Sequence, residues 1–340
     1  MPTSQATFAA GPGEDEVERV ICASLAAHKD SIYATMESSR EHALRHNPTV
    51  GIHVALLYQS GWFLHWAEGP SEHVNALFER IRQDQRHHSQ YVVHHSRGRR
   101  LLMTPWSMML SSSTESGAQL GGRVMHLRAE MKAGRQFAPN SAIRRLTAPM
   151  QLPRALQLAD PESYHRVGVI SATGNSAFDM VHWLSERAHT PTARRRFAGE
   201  TDLDSGSEFV DFMRGSMPCR VIAVARADIL HGLRRAFLQD WQLLILLFCG
   251  DVRKDTALLT RVRAALQDLP VTPDLLAIAP DGTTHARMET AARANELSLH
   301  RSLHVEGDWN AIWQAACAQL DQIGDPRNSV WDVLDKPLGD

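Results

Sequence analysis

The chain has 340 residues, 43% of them hydrophobic and 22% charged, which is the composition of a soluble protein with length for two ordinary domains. A formal net charge of −2 excludes a general attraction to nucleic acid or to an anionic membrane, and we expect neither as a partner. The four cysteines form no CxxC pair, which excludes a zinc ribbon and a disulfide framework. With no secretion signal at the N-terminus, these features predict a cytoplasmic protein of bacterial type.

Residues 17–110 predict an α+β domain with a ferredoxin-like order of elements. The first sixteen residues are small, polar and acidic, and we expect a disordered tail there. The patterns that follow predict strand, helix, two strands, helix and strand. The strands are expected at 19–24, 52–58, 63–68 and 90–95, and the helices at 31–46 and from 70 onward.

Residues 164–325 predict a mostly parallel, three-layer α/β domain, because apolar strands alternate with amphipathic helices. Flanking helices and a proline-bearing linker are expected at 111–163, and a tail at 326–340. A solvated acidic loop is expected to hold Asp202, Asp204 and Glu208. The strands are expected at 166–171, 219–225, 243–249 and 275–279, and the helices at 177–187, 227–240, 254–269 and 286–297.

The segment VGVISATGNSAF (167–178) predicts a strand, a turn and a helix in the place of a phosphate-binding loop. Gly174, Asn175 and Ser176 stand where that loop has its Gly-Lys-Ser end. Asn175 replaces the lysine, and Val169 stands at the first glycine position, so nucleotide phosphates would lose their main partners. The domain weakly resembles a small GTPase core with a degenerate nucleotide site. The alternative is an ordinary parallel α/β domain with a polar turn.

Four segments of the N-terminal domain carry a family resemblance, namely ICASLAA (21–27), RHNPTVGIHVALLYQSGWFLHWAEGP (45–70), IRQDQRHHSQYVV (81–93) and PWSMML (105–110). Together they resemble the BLUF family of flavin-binding blue-light sensors. The resemblance implies that a flavin ring lies between the two helices of a ferredoxin-like fold. In that family the light response needs a tyrosine and a glutamine, at the positions of Cys22 and His65. Neither residue present can replace those groups, so we expect the usual photocycle to be absent.

The remaining positions of the resemblance are compatible with a retained flavin pocket. It implies that Asn47 bonds the flavin ring and that Arg86 lies on the phosphate side. Each side chain also has a purely structural interpretation, such as a helix end for Asn47 or a core position for Trp106. The full set of candidate flavin contacts is Cys22, Ser24, His46, Asn47, His65, Arg86, Trp106 and Met108.

Three functional hypotheses follow from these patterns. The first is a non-enzymatic regulatory or scaffolding protein without a bound cofactor, which acts through protein partners or as a homodimer, since no catalytic motif is intact. The second is a flavin-binding (FAD) sensor of light or redox state with altered chemistry. The third is a metal or haem sensor that uses Cys22 and His65, which are expected to face one cavity. His88 and His94 are expected on one face of their strand.

Overall fold

The computed structural model describes most of the chain, in ten segments. The predicted tails, apart from residue 16, and Asp202 and Asp204 lie outside these segments. No helix in the described segments is long and apolar enough to cross a membrane. The described residues are 16–27, 32–111, 115–148, 153–159, 163–198, 205–226, 228–230, 232–269, 271–303 and 307–323.

The described residues form one mixed sheet of twelve strands with helices on both faces. The strands are β1 (Glu16–Ala26), β2 (His53–Gln59), β3 (Trp62–Gly69), β4 (His87–Arg99), β5 (Trp106–Ser111), β6 (His165–Ser171), β7 (Ala193–Ala198), β8 (Ser205–Arg214), β9 (Met217–Val224), β10 (Leu243–Leu247), β11 (Asp274–Ala279) and β12 (His300–Leu303). The helices are α1 (Ile32–His46), α2 (Ser71–Gln83), α3 (Gly117–Lys132), α4 (Pro139–Thr147), α5 (Arg154–Leu158), α6 (Ser176–Ala188), α7 (Gly232–Leu238), α8 (Val252–Leu266), α9 (Gly282–Ala294) and α10 (Trp309–Ile323). Short 3₁₀ turns occupy Asn47–Val50 and Asp228–Leu230.

The N-terminal strands lie in the order β4-β1-β3-β2-β5, with β2 and β5 parallel and the other pairs antiparallel. Their side chains alternate between two apolar layers, as the pleat requires. One layer contains Cys22, Phe63 and Met108 and is covered by α1 and α2. The opposite layer contains Trp66 and Met109 and is covered by α3, α4 and α7.

The second half is built around β6, in the order β12-β11-β10-β6-β9-β8-β7. The first five of these strands are parallel, whereas β8 runs antiparallel to β9 and β7 antiparallel to β8. The run Leu243–Leu247 is buried throughout, as expected for a strand covered on both faces. Helices α8 and α9 cover one face, and α6 and α10 cover the other.

The two halves share a single sheet and part of a single core. Strand β5 pairs with β2 on one side and with β7 on the other. Helix α7 belongs to the second half, yet its Leu233 and Phe237 pack in the same apolar layer as Trp66. Helix α4 lies within the segment 111–163, where flanking helices and a linker were expected, and packs in the same layer. The chain is of mixed α/β class, but not as two separate sheets.

Several predicted elements differ from the observed ones for identifiable reasons. Helix α3 begins at Gly117 rather than near 123 because Ser116 and Gln119 form a capping box. Glu208 was expected in a loop but lies on β8, where His182, Thr192 and Arg194 bond its carboxylate. The predicted helix 227–240 is divided into a 3₁₀ turn and the short α7. Strands β5, β7, β8 and β12 and helix α10 were not predicted.

Two register shifts interrupt the pairing of β1 with β4 but cancel over this stretch, so His88 and His94 pair with Leu25 and Ile21, which lie on one face of β1, and share a face as predicted. His88 is exposed, whereas His94 is buried and its ring lies 5.6 Å from that of Phe137. The two histidines therefore do not share an environment. A single bulge adds an unpaired residue to one strand and changes the face on which later side chains lie, and a second bulge restores it.

The junction of the two halves can be tested at Gly232, the first residue of α7. A Cβ atom there would overlap Thr104 Oγ1 and lie 2.9 Å from Ser107 Oγ. We expect Gly232→Ala to lower the free energy of unfolding by about 1–3 kcal/mol through overpacking. Gly122→Ala on α3, where nothing lies within 4 Å, is the control and should stabilise by about 0.5–1 kcal/mol. Urea unfolding measures both, and equal effects of the two substitutions would contradict this packing.

Candidate cofactor-binding site

A cavity of about 280 Å³ lies between the N-terminal sheet and helices α1 and α2. Its floor is made of buried side chains of β2, β3 and β5, and its mouth is made of polar and charged residues of the two helices and the turn after α2. An apolar cavity of about 150 Å³ holds one benzene ring, so this cavity has room for a planar ligand of two or three fused rings. The lining residues are Ser38, Ser39, His42, Ala43, Asn47, Val54, Leu56, His65, Ala67, Leu77, Arg80, Ile81, Asp84, Arg86, His87 and Trp106.

Two buried nitrogen atoms on the cavity floor have no hydrogen-bond partner among the described residues. They are Nε2 of His65 and Nε1 of Trp106, whose residues are 6% and 3% exposed. Such a buried group costs about 1–3 kcal/mol when it stays unpaired. Both side chains line the cavity, so a ligand with acceptor atoms along one edge would satisfy them.

His65 belongs to a small cluster with His87 and Ser24. The rings of His65 and His87 are 4.9 Å apart in an edge-to-face arrangement, and His87 Nδ1 lies 3.1 Å from Ser24 Oγ. Burial, and to a smaller extent the neighbouring His87, lowers the pKa of His65 to about 3. His65 is therefore an uncharged imidazole at neutral pH.

The mouth of the cavity carries a small excess of positive charge. Arg80 and Arg86 line it together with a single carboxylate, Asp84. Arg86 holds that carboxylate with Nε at 3.0 Å and Nη2 at 2.6 Å, and these bonds lower the pKa of Asp84. An anionic group of a ligand would thus find two guanidinium groups and one already paired carboxylate.

Asn47 is fixed at the rim, next to the strand that carries Trp106. Its Nδ2 donates a hydrogen bond to the carbonyl of Pro105 at 3.1 Å, and the amide of Val54 donates to the same carbonyl at 3.2 Å. The side chain is buried and lines the cavity. Asn47 therefore connects the end of α1 to the start of β5.

The structure brings four of the eight candidate residues to the cavity, namely Asn47, His65, Arg86 and Trp106. Cys22 is the direct neighbour of His65 across the β1–β3 pair but is not among the lining residues, and burial raises the pKa of its thiol to about 11. Met108 packs in the layer beneath. Ser24 acts through His87, and the exposed His46 stacks on His42 at 4.4 Å.

Sequence reasoning missed His42, Arg80 and His87 as lining residues. The signal for His87 was the HHSQ run, whose first histidine pairs with Ala26, a residue of the same apolar layer as Cys22. Among the described residues, no group of three or more His, Cys, Asp or Glu side chains could hold a metal ion.

The loop that resembles a degenerate phosphate-binding loop lies at the carboxyl end of β6 as expected. Gly174 has a φ of +62°, Asn175 precedes α6, and Ser176 is its first residue. The space beside this loop measures only about 10 Å³, roughly the size of one water molecule, and Phe248 and Trp309 are among the side chains that line it. In this conformation it has no room for a phosphate chain.

Comparison with known proteins identifies the class of the N-terminal domain. Residues 17–109 match the family model described as "BLUF: Sensors of blue-light using FAD", so this part of the chain is a BLUF domain. No curated protein matches the chain.

Several solved structures of BLUF proteins are similar to parts of the chain. "BlsA ground state" is 29% identical over 24% of this chain and 54% of its own length, with a TM-score of 0.21. "BlrB - a BLUF protein, dark state structure" is 19% identical over 39% of this chain and 93% of its own, with a TM-score of 0.28. "Klebsiella pneumoniae BlrP1 with FMN and cyclic diGMP, no metal ions" is 15% identical over 91% and 93%, with a TM-score of 0.25. The chain thus spans about half the length of BlsA.

The cavity residues fit a flavin. The isoalloxazine ring is planar, and its N5 and O4 atoms are acceptors that the unpaired nitrogens of Trp106 and His65 could bond. Arg80 and Arg86 at the mouth suit the phosphate of a flavin nucleotide. A flavin would supply two-electron redox chemistry and absorption of blue light.

Two buried histidines should make the stability of the ligand-free protein depend on pH. The pKa values of His65 and His94 are each lowered by burial from 6.5 to about 3, so the unfolded chain binds more protons than the folded one between these values. Stability is therefore retained above pH 6.5 and lost as the pH falls. Between pH 7 and pH 5 each histidine should remove about 2 kcal/mol from the free energy of unfolding.

Urea unfolding of wild type and His65→Gln at the two pH values isolates one of these contributions. Glutamine does not titrate, so the variant should lose about 2 kcal/mol less than wild type over this interval. His88→Gln, at an exposed site on β4, should behave as wild type. Identical losses in all three proteins would show that His65 is not held uncharged.

Proposed function

We propose that this chain is a flavin-binding regulatory protein whose BLUF domain senses the state of its cofactor without the usual photocycle. The observation that carries the proposal is the pair of unsatisfied buried nitrogens, His65 Nε2 and Trp106 Nε1, on the floor of a cavity of ring size. A core that held no ligand would favour apolar side chains at these two positions. This proposal replaces the expectation of no bound cofactor, which has no support in the geometry.

The side chains next to the cavity support a sensor with altered chemistry. Cys22 stands at the tyrosine position on β1. Its buried thiol stays protonated at neutral pH because burial raises its pKa to about 11. His65 stands at the glutamine position on β3, and its imidazole ring has no amide group that could rotate. No tyrosine is among the lining residues of the described cavity. A flavin ring excited by blue light in this cavity would therefore have no phenol beside it.

Strand β5 supports coupling between the cavity and the second half. Trp106 faces the cavity, and Ser107, the next residue, faces α7. The hydroxyl of Thr104 donates to the Trp106 carbonyl at 3.1 Å and lies 3.0 Å from Ser107 Oγ, and Gly232 packs directly on this pair. A shift of Trp106 on ligand binding would be passed to α7 and, through the β5–β7 pairing, to the β7–β8 hairpin.

The second half fits the role of a non-enzymatic output domain that contacts a protein partner. Its strands lie in the order β12-β11-β10-β6-β9-β8, with β8 reversed, in a mostly parallel sheet covered by helices on both faces. Asn175 in place of the lysine and the filled space beside the loop argue against nucleotide turnover. The exposed Leu230 and Val252 follow β9 and β10, and the exposed Leu303 is the last residue of β12, so all three lie near the carboxyl ends of parallel strands, the edge at which such sheets bind ligands.

Flavin binding is tested by titrating the ligand-free, full-length chain with FAD, FMN and riboflavin in the dark and following flavin fluorescence. We expect a complex, and about tenfold weaker binding for His65→Leu and for Trp106→Phe, since each variant removes one hydrogen bond to the ring. Met125→Ala, at an exposed position on α3, serves as the control.

Blue illumination of the same complex provides a second readout. The absorption bands should stay where they were in the dark, because the tyrosine and glutamine positions hold Cys22 and His65. A folded protein that binds none of the three flavins would sink the proposal. A light-induced band shift would leave the proposal of flavin binding standing but would contradict the proposal that the usual photocycle is absent.

Coupling is tested by hydrogen exchange with and without the flavin. We expect slower exchange in α1 and α2 and also in Ala193–Ala198 and Gly232–Leu238, because these segments pack on or pair with β5. Protection that stops at α1, α2 and the cavity floor would contradict the proposed route. The Met125→Ala protein again provides the matched control.

A further inference from the structure

The charged groups around the cavity favour an anion over a neutral ligand. Two arginines and one aspartate line it, which leaves one net positive charge while the histidines are neutral. Three histidines, His42, His65 and His87, line the same cavity and could each add a further positive charge. Asp84 is the only carboxylate among the described lining residues, and it is already held by Arg86.

The net positive charge of the cavity should affect its affinity for the two redox states of a flavin differently. The oxidised isoalloxazine is neutral. A hydride, taken for example from a reduced pyridine nucleotide, brings two electrons and one proton, which becomes the hydrogen on N5. The product carries one negative charge over the pyrimidine part of the ring, and the donor leaves as the oxidised pyridinium. A positively charged, partly dehydrated cavity stabilises that anion more than the neutral ring.

We infer that the cavity binds the reduced, anionic flavin more tightly than the oxidised flavin, and that His65 takes up a solvent proton when the flavin is reduced. The inference rests on the proposed flavin binding and adds the stimulus, which is the redox state of the cofactor rather than light. His65 is the ring on the cavity floor with an unpaired nitrogen. His87 stands beside it, is only partly buried, and gives a proton a route from solvent.

The groups that face His65 set its protonation. Arg80 from α2, Arg86 after α2 and His87 from β4 oppose a positive charge there, and Asp84 favours one. His42 from α1 lines the same cavity, and Cys22 from β1 is a neutral thiol at neutral pH. With these neighbours His65 is uncharged beside a neutral ligand. An anionic ring against the imidazole supplies the missing counter-charge and raises the pKa of His65.

Two measurable consequences follow. The protein should bind reduced flavin at least tenfold more tightly than oxidised flavin, and tenfold corresponds to about 30 mV in the midpoint potential of a two-electron couple. Beyond the hydrogen on N5, the reduced complex holds one further proton, on His65, that free anionic reduced flavin does not carry. The preference for reduced flavin should therefore fall as the pH rises, by up to tenfold per pH unit, while His65 loses its proton.

The experiment is an anaerobic dithionite titration of the full-length chain loaded with riboflavin, against reference dyes, from pH 5.5 to 8.0. Riboflavin has no phosphate that would neutralise Arg80 and Arg86, and free riboflavin in the same buffers gives the baseline. His65→Gln keeps a hydrogen-bonding side chain of similar size but cannot be protonated. Its preference for reduced over oxidised flavin should therefore be about tenfold smaller than that of wild type, and it should lack the added pH dependence. Arg80→Gln, at the exposed mouth, should weaken the preference severalfold and keep the pH dependence. His88→Gln should match wild type.

The outcomes separate this inference from the proposal beneath it. Equal affinity for both redox states in wild type would overturn the inference and leave flavin binding intact. An unchanged preference and pH dependence in His65→Gln would remove His65 from the proton uptake and so overturn the inference as stated. If neither redox state of riboflavin binds, the proposed function is wrong, and the inference is wrong with it.

Discussion

The pairing of β5 on both of its edges is the constraint from which the rest of the molecule follows. Backbone N–H and C=O groups buried inside a sheet need partners, and β5 obtains them from β2 in one half and from β7 in the other. Because side chains alternate across the strand, the same six residues also contribute to both apolar layers of the N-terminal sheet. Separating the halves would expose one edge of β5 and the apolar side of α7 together. The cavity and the second half are thus parts of one packed unit.

Local patterns in the sequence were sufficient for most of the N-terminal domain. The alternation in 52–58 and 63–68, with Ser60 and Gly61 in left-handed turn conformations, fixes the β2–β3 hairpin without help from distant residues. The junction could not be found in this way. The pairing of β5 with β7 joins residues more than eighty positions apart, and neither segment has an apolar alternation that sets it apart from a loop. The buried position of α4 has the same origin, because its contacts come from distant strands.

Lining residues of the cavity that belong to a linear motif could be predicted from the sequence. Properties that depend on how the strands pack could not. Asn47, His65, Arg86 and Trp106 were found through a family resemblance, and all four line the cavity. His87 was missed because the family resemblance assigns it no role, although its partner Ala26 lies in the same apolar layer as Cys22. The unsatisfied nitrogens of His65 and Trp106 are a property of the packed structure alone. A histidine and a tryptophan in apolar strands do not reveal from sequence whether their nitrogens have partners.

The irregular geometry of β4 also bears on self-association. A sheet that runs through both halves has only its two outermost strands, β4 and β12, left with one open side. In the part of the chain that the structure describes, β12 has four residues, a short template for another chain to extend. Strand β4 has thirteen, but its register shifts, the left-handed backbone of Ser89 and the charges of Arg97 and Arg99 interrupt the flat edge that polymerising strands require. Joining two sheets into one through β5 therefore leaves the combined sheet with ends that resist growth into a fibre.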